Sequence, residues 1–177
     1  FPVVEGLYKK PTVVNNVETL AAIPCILKFG AKAFSSVGNS KSAGTKLVCL
    51  DSLFKKPGVY EIDMGTPMKK IIYEIGEGFL QPVKALQVGG PLGGVIPIKE
   101  VEKLNLDFQE FTKAGFMLGH GSIVSIPEDF NMIKYIHHLF KFSAEESCGK
   151  CFPGRLGSYR GKEMFDQAVN KTNKIPI

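Results

Sequence analysis

The sequence predicts an α+β fold in which helices at both ends flank a central sheet. The apolar pattern changes from helical to strand spacing near Thr45 and returns to helical spacing near Asp129. Several short strands and one helix are predicted between these points, which is typical of an α+β roll whose sheet wraps a single helix. Hydrophobic residues make up 44% of the 177 residues and charged residues 22%, so we expect a globular protein rather than a disordered one.

The first part of the chain is predicted to be an extended arm followed by a helix. Prolines and a glycine interrupt residues 1–14, which favours an extended arm. Asn15 is expected to cap the helix that follows, and Glu18 can reach back to the cap. The helical pattern continues through Leu27, and Pro24 is expected to break or kink the helix. We also expect this helix to pack against helices from the other end of the chain.

The middle of the chain carries the predicted sheet. Short strands are expected at residues 46–50, 59–63, 85–88, 94–96 and 122–126. Between the second and third strands, Thr66 is expected to cap a helix that has Pro67 at its first position and ends near Gly76. The glycine-rich loop at residues 89–94 is predicted to be a turn between strands. Its glycine spacing does not match a dinucleotide fingerprint, and no βαβ unit surrounds it.

The last part of the chain is predicted to be helical, with a loop that contains two cysteines. The apolar residues after Asp129 share one helix face, and a second helix is expected over residues 159–169. Cys148 and Cys151 lie in the intervening loop, and Gly154 occupies the next position in step. A Cys-x₂-Cys-x₂-Cys loop supplies three thiolates to an iron–sulfur cluster. This loop therefore has the spacing of such a site but lacks its third ligand.

Two other kinds of site use the spacing of Cys148 and Cys151. A thioredoxin-like dithiol follows a strand, whereas an amphipathic helix is predicted before this loop. A zinc site needs two further ligands. The nearby His137 and His138 are adjacent on the predicted helix, so their side chains point about 100° apart and cannot both face one metal ion.

Charge and composition exclude several functions. The formal net charge of +5 comes from scattered lysines, so we expect a solvated surface and no nucleic-acid partner. No apolar run approaches the roughly 20 residues that span a bilayer, so no direct membrane insertion is expected. Cys25 and Cys49 lie in apolar patterns and are predicted to be buried. Four cysteines without secretory spacing indicate a reducing compartment such as the cytoplasm. Phe1 is not a natural start residue, so we expect the chain to be part of a longer protein.

Five segments of the chain resemble, in the same order, parts of the flavin-bearing, NADH-binding subunit of respiratory complex I. They are residues 11–20 (PTVVNNVETL), 44–61 (opening with GTKL and closing with KPGVYE), 88–91 (VGGP), 119–122 (GHGS) and 146–151 (ESCGKC). NAD-reducing hydrogenases and NAD-dependent formate dehydrogenases carry a similar subunit. The match is collinear across almost the whole chain, which makes coincidence a poor explanation.

The resemblance implies a division of the chain into three parts. Residues 1–43 are expected to form the arm and helices at the end of the flavin-domain region. Residues 44–127 are expected to form a soluble-ligand-binding β-grasp (SLBB) domain. Residues 128–177 are expected to form the start of a helical iron–sulfur-binding domain.

The resemblance also implies roles for individual residues. In the relatives, the helix entry that matches Asn15 and Asn16 lies against bound FMN. Cys148 and Cys151 match two ligands of a [4Fe–4S] cluster. The third ligand position is Gly154 here, and a distant fourth ligand lies beyond the end of this chain.

The implied parent protein takes a hydride from NADH onto FMN and passes single electrons to iron–sulfur clusters. Its expected partners are NADH and the other subunits of an NADH-linked redox complex, in the cytoplasm or in the soluble arm of a membrane complex. The segments that hold most of the flavin and the nucleotide lie upstream in the relatives, and we identify no catalytic residue in this chain. We therefore expect the chain alone to bind neither cofactor stably and to be inactive. The alternative is a non-catalytic SLBB-type ligand-binding or subunit-docking module.

Overall fold

The computed structural model describes residues 1–170, which form a five-stranded mixed sheet with helices around it. The strands are β1 (Thr45–Leu50), β2 (Gly58–Asp63), β3 (Val83–Val88), β4 (Gly94–Pro97) and β5 (Ser122–Pro127). The helices are α1 (Val17–Phe29), α2 (Ala31–Ser35), α3 (Met68–Lys70), α4 (Ile98–Val101), α5 (Phe108–Lys113), α6 (Met132–Glu145) and α7 (Ser158–Val169). Shorter turns are π-helical at Ile71–Ile75 and Pro153–Gly157 and 3₁₀-helical at Leu7–Lys9. None of the helices in the described residues is long and apolar enough to cross a membrane.

The sheet has the strand order β2-β1-β5-β3-β4. β1 and β5 are parallel at the centre, where Cys49 pairs with Ser122. All other neighbouring strands are antiparallel. β5 therefore lies between the β1–β2 hairpin and the β3–β4 hairpin. Such a sheet, with a helical segment across one face, has the arrangement of a β-grasp domain. All five predicted strands are present, and the predicted α+β class with flanking helices is confirmed.

The main core lies between one face of the sheet and the helical segment formed by α3 and its π-helical turn. Strand alternation directs Val48 and Leu50 of β1 into this core, while Cys49 faces outward. The fully buried side chains include Phe54, Met68, Ile71, Ile72, Leu86, Ile96 and Phe111. Burial of each such side chain contributes about 1.5–3 kcal/mol. The β-grasp core is therefore the main source of stability.

The helix predicted before Gly76 is present, but its predicted cap is wrong. The Thr66 hydroxyl donates to the carbonyl of Asp63 at 2.7 Å instead of capping the helix. Pro67 has extended backbone and precedes the first helical residue, Met68.

The helix predicted after the N-terminal arm begins one residue later than expected. Asn16, not Asn15, caps α1 through a hydrogen bond from the backbone N–H of Glu18 to its side-chain oxygen. Pro24 lies inside α1 and does not end it, since the helix continues to Phe29.

The prediction that Cys25 and Cys49 are buried is wrong, because both side chains are exposed. Cys49 lies on the outward face of β1. Cys25 lies on α1, which has no buried residue. An apolar sequence context misled the prediction in both cases, because it identified the element but not the face.

The C-terminal helices form a pair of their own. α6 packs against α7, and the rings of Phe140 and Phe165 stack with their centroids 5.4 Å apart. The predicted helix over residues 159–169 is therefore confirmed as α7. The expected packing between helices from the two ends is wrong for the described residues, because α1 packs mainly against α2.

Candidate functional site

The start of α1 carries the two asparagines that were predicted to contact a cofactor. Asn16 is extended, with ψ at 139°, and its side-chain oxygen accepts from the N–H of Glu18 at 2.9 Å. The side-chain oxygen of Asn15 accepts from the N–H of Asn16 at 2.7 Å. Both side chains are exposed. The chain therefore presents two adjacent amides at a helix start, each held through its oxygen.

The side-chain nitrogens of Asn15 and Asn16 remain available as donors. Within residues 1–170, neither nitrogen donates to a protein acceptor. Free amide donors beside a helix N-terminus suit a phosphate or the polar edge of a ring. The donor chemistry at this position therefore fits FMN, although two side chains supply only a small part of a flavin site.

Glu18 joins this helix start to the sheet. Its carboxylate accepts from the Lys46 ammonium and from the N–H of Leu47, the latter at 2.8 Å. Burial raises the pKa of Glu18, but hydrogen bonds from Lys46 and Leu47 outweigh it, so the pKa lies below its ordinary value. The carboxylate is therefore charged at neutral pH and fully engaged on β1.

A cleft of about 620 Å³ opens between α1, α2 and the end of the sheet. Its polar wall includes Asn16, Glu18, Lys46 and His120, and its apolar wall includes Ile26, Phe34, Met64 and Phe108. The cleft places the Asn16 cap and the Glu18–Lys46 pair at one location, which sequence spacing alone did not indicate.

The cysteine loop follows directly from α6. Asn131 caps α6 by accepting from the N–H of Ile133 at 2.9 Å. After α6 ends, Gly149 adopts a left-handed conformation with φ at 70°, and its N–H donates to the Ser147 hydroxyl at 3.2 Å. The chain then turns back into helix, where the N–H of Arg155 donates to the carbonyl of Cys151 at 3.0 Å. The loop is thus a tight connection between two helices.

Gly154 faces this loop. A β-carbon added at Gly154 lies 3.4 Å from the sulfur of Cys151 and 3.0 Å from the hydroxyl oxygen of Ser147. Cys148 and Cys151 are both exposed. A side chain at position 154 therefore enters the space beside Cys151, as the loop of a three-thiolate site requires.

The donor set does not fit a [4Fe–4S] cluster. A cubane cluster is held by four cysteine thiolates. Within residues 1–170, no group of three or more His, Cys, Asp or Glu side chains is arranged to hold a metal ion. Cys25 and Cys49 belong to α1 and β1 and add nothing to the loop. Within residues 1–170, the loop therefore offers two cysteine side chains, Cys148 and Cys151, where such a cluster needs four.

The zinc alternative has no support either, because the described residues contain no group of three or more His, Cys, Asp or Glu side chains that could hold a metal ion. His137 instead pairs with Asp166 of α7 at 2.7 Å, and Lys162 donates to the other oxygen of that carboxylate at 3.2 Å. Hydrogen bonds from Lys162 and His137 lower the pKa of Asp166. His137 thus joins α6 to α7 rather than holding a metal ion.

Sequence reasoning missed the polar contacts that connect distant elements. Asp51 accepts from the N–H of Ser125 at 2.7 Å and from its hydroxyl at 3.0 Å. Tyr135 of α6 donates to Gln87 of β3. No sequence signal could have found these pairs, because their partners are 74 and 48 residues apart.

Comparisons with known proteins give the family context. The model of the NADH-ubiquinone oxidoreductase-F iron-sulfur binding region matches residues 134–175, which include the cysteine loop. An NADH-quinone oxidoreductase subunit of Rhizobium meliloti (strain 1021) is 43% identical over 159 residues. NADP-reducing hydrogenase subunit HndC of Solidesulfovibrio fructosivorans is 37% identical over 169 residues. The resemblance to the complex I and hydrogenase subunits is confirmed. The air-oxidised NAD⁺-reducing [NiFe]-hydrogenase matches with a TM-score of 0.82 and 31% identity, covering 96% of this chain and 29% of that one.

The chain spans little more than one third of the length of these two relatives. It covers 38% of the Rhizobium protein and 34% of HndC, while these matches include 89% and 94% of the chain. Almost all of this chain therefore has a counterpart in the two relatives, and most of their length has no counterpart here.

Proposed function

We propose that the chain is part of a flavoprotein subunit that oxidises NADH in a multi-subunit redox complex. The observation that carries this proposal is the identity of 43% over 159 residues to an NADH-quinone oxidoreductase subunit. When bound, FMN accepts a hydride and can release its electrons singly. The residues of this chain hold and orient that group, and the complete subunit works in the cytoplasm or in the soluble arm of a membrane complex.

The flavin-binding role falls to Asn15 and Asn16. Their side-chain nitrogens donate to the flavin phosphate or to the polar edge of the ring. Negative charge is favoured at this end of α1, since the first N–H groups of a helix carry partial positive charge.

Exposed apolar residues on the arm and on α1 support the same proposal. Val13, Val14, Val17, Leu27 and Phe29 are all more than 60% exposed. Several large apolar side chains exposed on one segment of the chain are typical of a contact region. In the complete subunit, the flavin domain covers this surface and brings FMN to the start of α1.

The division into three parts belongs to the same proposal. Residues 1–43 complete the flavin domain, residues 44–127 form the SLBB domain, and residues 128–177 begin the iron–sulfur domain with Cys148 and Cys151. The alternative function, a separate ligand-binding or docking module, has no specific observation in its favour.

The flavin contact is tested by changing Asn16 to Asp in the full-length protein. Asp keeps the helix cap but removes the amide donor and adds a negative charge. Loss of a hydrogen bond to a charged group costs about 1.5–3 kcal/mol, so we expect FMN affinity to fall at least about tenfold in a fluorescence titration.

Asn131→Asp is the matched control, because it makes the same change at the cap of α6. It should leave FMN affinity unchanged. Equal affinity in Asn16→Asp and the unmodified protein would show that the flavin lies elsewhere.

A further inference from the structure

One carboxylate links the start of α1 to the sheet. Glu18 accepts from the Lys46 ammonium through one oxygen and from the N–H of Leu47 through the other. The rest of α1 packs mainly on α2, and no residue of α1 is buried. Because a cleft of about 620 Å³ separates the helix from the sheet here, the position of α1 depends strongly on this link.

The buried position of Lys46 determines where the link forms. It lies on the inward face of β1, in step with Val48 and Leu50, and is only 8% exposed. A buried ammonium must be paired, since an unpaired buried charge is costly. Lys46 therefore holds a carboxylate at one particular place, and the first turn of α1 supplies it.

The link continues to the asparagines through a chain of hydrogen bonds. The backbone N–H of Glu18 donates to Asn16, and the backbone N–H of Asn16 donates to Asn15. The side chain of Glu18 reaches Lys46 and Leu47 on β1. These hydrogen bonds thus connect the β-grasp sheet to both side-chain amides.

We propose that Glu18 and Lys46 are positioning residues that fix the two asparagines relative to the β-grasp sheet. The proposal rests on the proposed flavin contact, because its functional consequence is the placement of Asn15 and Asn16 against FMN. Neither Glu18 nor Lys46 takes part in the reaction.

This pair differs from an ordinary surface ion pair on the same protein. The side chains of Lys46 and Glu18 are 10% and 32% exposed, whereas those of Lys103 and Glu100 are 66% and 53% exposed. Exposed pairs contribute little to stability. Glu100 and Lys103 also lie three residues apart in one chain segment, so they connect no separate elements. They therefore provide a matched control.

Two native thiols allow the link to be measured directly. Cys25 on α1 and Cys49 on β1 are both exposed. Spin labels on these two residues report the distance between α1 and β1, measured by pulsed electron paramagnetic resonance. Cys148 and Cys151 are changed to Ser in this experiment, so that only the two reporter sites are labelled.

The decisive variant combines Glu18→Ala with Lys46→Met, which removes the link without leaving a buried charge unpaired. We expect its distance distribution to broaden, with Lys46→Met alone intermediate because Glu18 keeps its bond to Leu47. Lys103→Met should match the unmodified chain. An unchanged distribution in the double variant would overturn the proposal.

FMN affinity of the full-length protein separates positioning from mere stabilisation. The double variant should weaken FMN binding about tenfold, the loss caused by one misplaced charged hydrogen bond. A broadened distribution with unchanged FMN affinity would overturn the positioning role. If Asn16→Asp also left affinity unchanged, the proposed flavin contact would be the part that is wrong.

Discussion

The phenol of Tyr135 on α6 donates a hydrogen bond to the side-chain carbonyl of Gln87 on β3. Gln87 is only 4% exposed, and its amide nitrogen has no acceptor in the part of the chain that the structure describes. Burial and the nearby Asp51 carboxylate raise the pKa of Tyr135, so the phenol remains a donor at neutral pH. This contact holds α6 against the sheet, and α6 leads into the cysteine loop.

Tyr135→Phe should destabilise the chain by about 1–3 kcal/mol, because it leaves both polar ends of a buried Gln87 unpaired. Urea unfolding at neutral pH measures the loss. Adding Gln87→Leu should recover much of it, since both polar partners are then gone. Tyr159→Phe is the control, because Tyr159 is 55% exposed. Equal stability of Tyr135→Phe and Tyr159→Phe would contradict this account of the contact.

The link through Glu18 should weaken in acid. Its folded-state pKa lies below the ordinary value of 4.5, since the bonds from Lys46 and Leu47 outweigh the effect of burial. A depressed pKa contributes stability above the unfolded pKa, and that stability is lost as pH falls through the folded pKa. The difference in unfolding free energy between the unmodified chain and Glu18→Gln should therefore be largest at neutral pH and shrink well below pH 4.5.

Urea unfolding at neutral pH and at a pH well below 4.5 checks this prediction. Glu100→Gln is the control, because Glu100 belongs to an exposed pair and its effect should be small at every pH. A Glu18→Gln difference that stays constant from neutral to acid pH would show that the charge of Glu18 does not stabilise the link.

Periodicity predicted the elements of this fold well. All five strands, the helix under the sheet and the C-terminal helix pair follow from apolar spacing. The sheet order did not follow, because the parallel pairing of β1 with β5 joins segments more than 70 residues apart. Periodicity also failed at Cys25 and Cys49, since it identifies an apolar element but does not show which face is covered.

The candidate site was only partly predictable from the sequence. The cap at the start of α1 was placed at Asn15 rather than Asn16, because Glu18 lies three residues after Asn15, as in a capping box. Glu18 was assigned to the local cap, but it bonds to Lys46, 28 residues away. A local motif competes with long-range partners that only the fold brings close.

The chain of 177 residues should show no saturable FMN binding in the micromolar range and no NADH-dependent dye reduction. Micromolar affinity needs about 8 kcal/mol, and two exposed amides with a helix start cannot supply it. Flavin fluorescence titration and a dye-reduction assay make the test. Saturable micromolar binding, or dye reduction above the rate without protein, would disprove the prediction.

Reconstitution with iron and sulfide tests the proposal that the cysteine loop keeps cluster-binding geometry but lacks a ligand at Gly154. Gly154 is not in a left-handed conformation, and a β-carbon there lies 3.4 Å from the Cys151 sulfur. A cysteine at this position therefore needs only a small shift of Ser147. The unmodified chain and Gly154→Cys are compared, each with and without the downstream segment that carries the fourth cysteine in the relatives.

The measurement is the broad blue absorption of a [4Fe–4S] cluster that survives desalting. We expect this absorption only when Gly154→Cys and the downstream segment are combined. Stable absorption in the unmodified chain would show that the loop does not lack a ligand.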